Sequence, residues 1–123
     1  MSEEVPAVLR AFIARYIDSV AQLEALLLLR GNMRETWSAA SVAKRLYTSE
    51  TEAAAILARL CSDGLLACAN EVYRYDCVPD LAAMVDRLAE AYARQLIPIT
   101  NLIHAKPRRI REFADAFKLK KDT

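Results

Sequence analysis

Histidine and glycine are almost missing from this chain, and their scarcity removes whole classes of function. The sequence holds one histidine, His104, and two glycines, Gly31 and Gly64, among 123 residues. Both glycines read as helix ends, so no glycine-rich loop is left to cradle a phosphate. There is no nucleophile–histidine pair with an orienting partner, and no ligand set with metal spacing. We therefore expect no enzyme, no cofactor and no bound metal, with His104 an ordinary helix-surface or interface residue. Cysteine is scarce too: Cys61, Cys68 and Cys77 are an odd number without a Cys-x-x-Cys pair. With no signal-peptide pattern at the start, this usage fits a reducing cytoplasm. The plain reading of the three is small buried hydrophobes, and the sharper alternative is a redox sensor.

Long apolar runs are also lacking. The richest, residues 23–30 (LEALLLLR), is too short to cross a bilayer and is flanked by charge. No membrane partner is expected. The net charge of +1 names no partner by itself, but its distribution is uneven. Residues 106–123 carry seven basic and three acidic side chains, whereas residues 31–78 carry five basic and six acidic. A cationic surface, if the protein needs one, must draw on the tail.

What is abundant is Ala and Leu, in a chain that is 54% hydrophobic. That composition favours helices. Val8, Leu9, Phe12, Ile13, Tyr16, Ile17 and Val20 recur at helical spacing after Pro6. A break at Asp18-Ser19, where Ser19 and Gln22 have capping-box spacing, starts a second helix that Gly31-Asn32 stops. Met33 to Trp37 reads as a loop or a very short strand. Ser38 then caps a short helix over 39–46, and Tyr47-Thr48 makes a turn. Ser49 and Glu52 form a capping box for a helix running to about Asp63, with Ala53, Ile56, Leu57 and Leu60 inward. Gly64 ends that helix. Leu65 to Cys68 and Val72 to Asp76 read as two strands around Asn70, a residue that tolerates a tight hairpin. From 80 to 105 runs a long helical pattern in which Leu81, Val85, Leu88, Tyr92, Gln95, Ile99 and Leu102 keep coiled-coil spacing. Pro98 should kink or split it near Ile97. Pro107 opens a last, basic amphipathic helix over 107–117.

The pattern Leu46-x-x-Ser49-x-x-x-Ala53-x-x-Ile56-x-x-x-Leu60-x-x-x-Gly64-Leu65 resembles the winged helix-turn-helix transcription factors, most nearly the MarR-like and related small bacterial regulators. The resemblance covers about residues 19–78. It implies a single mainly α domain over 1–123 with a small β-hairpin: N-terminal helices at 6–30, helix-turn-helix and wing at 37–76, and a helical extension at 80–105 for dimerisation. It also implies a cytoplasmic, homodimeric transcriptional regulator that binds double-stranded DNA, with the helix from Ser49 in the major groove. By position, the reading face would hold Glu50, Thr51, Ala54, Ala55 and Ala58. Lys44, Arg45, Ser49 and Thr51 would approach phosphates, Arg59 would stand at the margin and Arg74 would be the wing's cation. Leu81, Val85, Leu88, Tyr92, Ile99 and Leu102 would face a second copy.

The chemistry of that face departs from the family's habit. Arg, Lys, Asn and Gln are the usual base readers, and alanines stand in their place. The alternative is a winged-helix module that docks on a protein of the transcription machinery or on another regulator, through the alanine-rich helix or the basic tail. A third reading is a small-ligand sensor in the cleft between the dimer helices and the core. Trp37, Tyr73 and Tyr75 read as core rather than as base-stacking residues.

Overall fold

The computed structural model describes residues 5–105. Six helices and two strands form among the described residues, and their boundaries have local causes. Helix α1 (Ala7–Tyr16) starts after Pro6, whose φ of −56° is fixed by its ring. It buries Leu9, Phe12 and Ile13. Helix α2 (Val20–Gly31) starts at Ser19, whose hydroxyl accepts the Gln22 N–H at 3.0 Å. A reciprocal capping box would have the Gln22 side chain return to the Ser19 N–H. Instead Gln22 Oε1 accepts the Asp18 N–H at 2.6 Å, and Nε2 donates to the Tyr16 carbonyl at 3.0 Å. One glutamine, only 3% exposed, thus ties the end of α1 to the start of α2 across a three-residue break.

Asn32 ends α2, its side-chain amide donating to the Leu28 carbonyl at 2.9 Å. The following segment contributes a single antiparallel bridge. The Trp37 N–H donates to the Tyr73 carbonyl at 2.8 Å, and the Tyr73 N–H returns to Trp37 at 2.7 Å. Helices α3 (Ala39–Leu46) and α4 (Glu50–Ser62) come next, then strands β1 (Leu66–Ala69) and β2 (Val72–Tyr75). Gly64 reverses the chain after α4 at φ +83°, a conformation that only glycine adopts freely. The strands pair antiparallel from Leu66↔Tyr75 to Ala69↔Val72. β2 starts at Val72 as expected, and the other three strand ends each differ by one residue from the sequence expectation. Asn70 and Glu71 both take left-handed angles, φ 53° and 64°, as a two-residue hairpin that follows the sheet twist requires.

The long helix expected over 80–105 is two helices, α5 (Pro79–Arg94) and α6 (Leu96–Ala105). The break falls at Gln95, φ −130° and ψ 56°, rather than near Ile97. The ring of Pro98 would collide with the carbonyl four residues back, that of Arg94. Ending α5 at Arg94 puts the proline in the first turn of α6, where its missing N–H costs nothing.

One core runs through the described chain from Val5 to Ile103. Helix α2 lies at its centre, with Leu23, Ala25, Leu26 and Leu29 fully buried. Helix α4 packs on α3, α2 and β1, while α1 packs on α5 and α6. The seam assigned to a second copy is largely used here. Val85, Leu88 and Ile99 are fully buried within the chain, and Leu81, Tyr92 and Leu102 are half-buried against the same core. Two polar bridges also join α2 to α5: Tyr92 Oη donates to Glu24 at 2.7 Å, and Arg30 pairs with Asp86 at 2.9 Å. The expected 107–117 helix lies outside the described residues. No helix among them is long and apolar enough to cross a membrane.

The cysteines are not three buried hydrophobes. Cys61 and Cys68 form a disulfide, Cys68 is exposed, and Cys77 is a half-buried free thiol. The Gly64 reversal lays β1 against the end of α4, which brings positions 61 and 68 together.

Two outcomes follow from this packing. Gln22→Leu keeps the volume but strips the Tyr16 carbonyl and Asp18 N–H of their partner, so urea denaturation should show a loss of about 1–3 kcal/mol. Burial first, then the Glu24 carboxylate that accepts its hydroxyl, push the Tyr92 pKa up from 10.0 to about 12. Tyr75 shifts the same way through burial and the neighbouring Cys77 thiol. Folding therefore favours the protonated phenols. Stability is full below pH 10.0 and falls as pH climbs through about 12. In a pH series of urea midpoints, Tyr92→Phe should lose less than the parent across that window.

Candidate nucleic-acid interface

The α3–turn–α4 unit is set by its serines. The Ser38 hydroxyl accepts the Ser41 N–H at 3.1 Å, and the Ser41 hydroxyl accepts the Ser38 N–H at 2.9 Å, a full reciprocal cap for α3. The Ser49 hydroxyl accepts the Glu52 N–H at 3.0 Å and caps α4. The expected return half of that box is replaced: Thr48 Oγ1 donates to Glu52 Oε1 at 2.7 Å. The Glu52 carboxylate is therefore held against the turn.

Between the helices, Tyr47 occupies the left-handed region at φ 56°, ψ 46°. Its backbone N–H closes onto the Ala43 carbonyl, as does that of Thr48. The side chain is 96% exposed. A tyrosine in this conformation is strained relative to glycine, and here no packing offsets the strain. Sequence reasoning placed Tyr47 in the turn but gave it no role. The signal was a bulky aromatic at the one position between two capped helices that must take a positive φ.

The anticipated contact residues divide sharply. Lys44 and Arg45 end α3 fully on the outside, and neither forms an ion pair among the described residues. The Arg45 guanidinium sits 5.5 Å over the Trp37 ring, whose own body is buried. Ser49, Glu50, Thr51, Ala55 and Ala58 are exposed along α4, while Ala54 is half-buried at the edge of its apolar stripe. The other two cations are engaged. Arg59 bridges Asp18 at 3.2 Å and Asp63 at 3.0 Å. Arg74 reaches Asp76 at 3.4 Å. The free positive charge of this surface thus lies at one end, beside the turn and the start of α4. Of the hairpin and Trp37 aromatics, Trp37 and Tyr75 are buried and Tyr73 half-buried, which makes them core.

Away from this face, an open cleft of about 500 Å³ lies between the start of α1 and the end of α5, lined by Pro6, Leu9, Arg87, Glu90, Ala91, Arg94 and Gln95. Among the described residues no group of three His, Cys, Asp or Glu is arranged to hold a metal. No protein-family model, curated protein or solved structure matches the chain.

The strain at position 47 gives a direct expectation. Tyr47→Gly should raise stability by about 0.5–1 kcal/mol in urea denaturation, because the relieved left-handed strain exceeds glycine's added unfolded-state entropy.

Proposed function

We propose that the chain is a winged helix-turn-helix DNA-binding regulator of bacterial type, cytoplasmic and homodimeric. The observation that carries this reading is the exposed edge formed by Lys44, Arg45, Ser49 and Thr51, unpaired cations next to the capped start of a helix whose outer face is slim. The order α2, Trp37 bridge, α3, α4, hairpin supports the winged form. A helix lined with alanine can approach a groove closely, and alanine methyls suit the thymine methyl. Thr51 adds a hydroxyl for phosphate or base, and Glu50 can accept from a cytosine amine. Exposed Val8, Leu96 and Ile97 supply apolar surface for pairing.

A second reading rests on a separate observation. Arg59 and Arg74 are neutralised by Asp18, Asp63 and Asp76, leaving the far half of α4 and the hairpin without free cations. A neutral face of Ala55 and Ala58 flanked by Glu50 suits a protein of the transcription machinery. Pull-down with mass spectrometry tests that reading, and a clean preparation without a specific partner counts against it.

For the DNA reading, purified protein should retain duplex fragments from a genomic library at low salt. The pair Lys44→Glu and Arg45→Glu should abolish retention with circular dichroism unchanged. Single Lys44→Ala and Arg45→Ala should each flatten the slope of log K against log salt by about one unit per site occupied. Arg59→Ala should leave the slope alone, because that charge is already paired. No retention of any fragment at low salt ends the DNA reading.

A further inference from the structure

The three cysteines gather around the root of the hairpin, and they differ in what chemistry they can do. Cys61 is in the last turn of α4 and Cys68 is within β1. Their disulfide joins positions seven apart in sequence, with Cα atoms 6.3 Å apart, and ties the end of the helix to the strand. The bond duplicates connections that hold without it. The Leu65 N–H donates to the Leu60 carbonyl and the Gly64 N–H to that of Cys61, both at 3.0 Å. Leu60, Leu65 and Leu66 are buried in the core. Breaking the bond therefore loosens the hairpin root without removing what folds it.

Access differs as well. Cys68 is exposed and Cys61 half-buried, so an incoming sulfur meets Cys68 first. Cys77 is close by but chemically quiet. Its Sγ donates to the Leu65 carbonyl at 3.3 Å, and burial pushes its thiol pKa up. Thiolate is the reactive form, so Cys77 stays out of exchange.

We propose that the Cys61–Cys68 bond is a thiol–disulfide exchange site for low-molecular-weight thiols and disulfides of the glutathione type, and that its redox state sets how firmly the hairpin is held to α4. In reduction, a small-molecule thiolate attacks Cys68 Sγ, the protein S–S bond breaks, and Cys61 leaves as a thiolate that takes up a proton. A second thiolate attacks the small-molecule sulfur of the mixed disulfide. Cys68 is released and protonated, and a small-molecule disulfide departs. Two small thiols are oxidised and one protein disulfide is reduced. The new Cys61 S–H has the Leu66 carbonyl 3.5 Å away as an acceptor. Persistent disulfides are rare in a reducing cytoplasm, where those that form are mostly transient and redox-linked. The reducing cytoplasmic setting rests on the reading above, but the exchange chemistry rests on the disulfide and its exposure alone.

Intact-mass spectrometry of the full chain tests this. Denatured without reductant, the oxidised protein should take one N-ethylmaleimide, at Cys77. After native incubation with reduced glutathione it should take three, the full cysteine count. With oxidised glutathione, Cys61→Ser should gain an adduct at Cys68, whereas Cys68→Ser should gain none at Cys77. Amide exchange across β1 and β2 should speed up by about tenfold or more on reduction, with α2 unchanged. Three labels without reductant, a native bond that resists glutathione yet reduces once unfolded, or an unaltered hairpin would each overturn the proposal. A chain that binds no DNA but exchanges its thiols would sink the regulator reading alone. A chain that binds DNA while its bond resists glutathione would sink this one alone.

Discussion

The fold depends on the burial of one side of α4. Ala53, Leu57 and Leu60 are fully enclosed, packed where α2, α3 and β1 meet. Each leucine side chain taken from water contributes about 1.5–3 kcal/mol. That stripe decides which residues of α4 face outward. Because the period is 3.6, burying 53, 57 and 60 turns Thr51, Ala55 and Ala58 to solvent, whereas Glu50, on the side of the buried stripe, is exposed as the first residue of the helix. The strong N-caps at Ser38 and Ser49 fix where α3 and α4 begin, so the turn between them must reverse within Tyr47 and Thr48. The left-handed tyrosine is the consequence. The exposed edge of the site is therefore set by the core behind it.

Charge does the rest. On this surface four basic side chains start from similar sequence contexts and end in different states. Lys44 and Arg45, at the C-terminal end of α3, have no acidic neighbour within ion-pairing distance among the described residues. Arg59 stands one helical turn from Asp63 and opposite Asp18, and Arg74 has Asp76 beside it on the strand end. Exposed pairs of this kind add little to stability, about 0–1 kcal/mol each. Their larger effect is on the potential outside, where they remove two cations from an already acidic unit. This electrostatic asymmetry, more than the helix geometry, separates the cationic α3 end, where the proposed DNA contact falls, from a neutral face farther along α4.

Much of the helix pattern was legible from residues alone. The 39–46 helix, the Ser49 cap, the Gly64 stop and the Asn70 turn follow from local chemistry, and local chemistry is what a sequence states directly. The failures were non-local or came from competition. Gln22 had capping-box spacing, yet its amide bonded to Asp18 and Tyr16 because the α1–α2 bend offered buried partners. Glu52 bonded instead to the Thr48 hydroxyl, a competing donor four residues back on the exposed turn. The 80–105 seam kept coiled-coil spacing, but nothing in that spacing says whether the partner is another chain or α1 of the same one. Pro98 announced a break, and the helix ended four residues earlier, at Arg94, because a proline is tolerated in a first turn. The Cys61–Cys68 pairing needed the Gly64 reversal to be seen in three dimensions. For the site, positions were readable, and a wing carboxylate as partner of Arg74 was one of the two readings the sequence offers; the Arg59–Asp18 bridge was not, since Asp18 is far away in sequence.

The central claim is that the edge from Lys44 to Thr51 meets DNA. Amide chemical-shift mapping of isotope-labelled protein titrated with a bound duplex at low salt addresses it most directly. The account predicts the largest shifts at Lys44, Arg45, Tyr47, Ser49 and Thr51, fading toward Arg59. Shifts confined to α5 and α6, or an unperturbed α3–α4 edge in the presence of a duplex that binds, would contradict it.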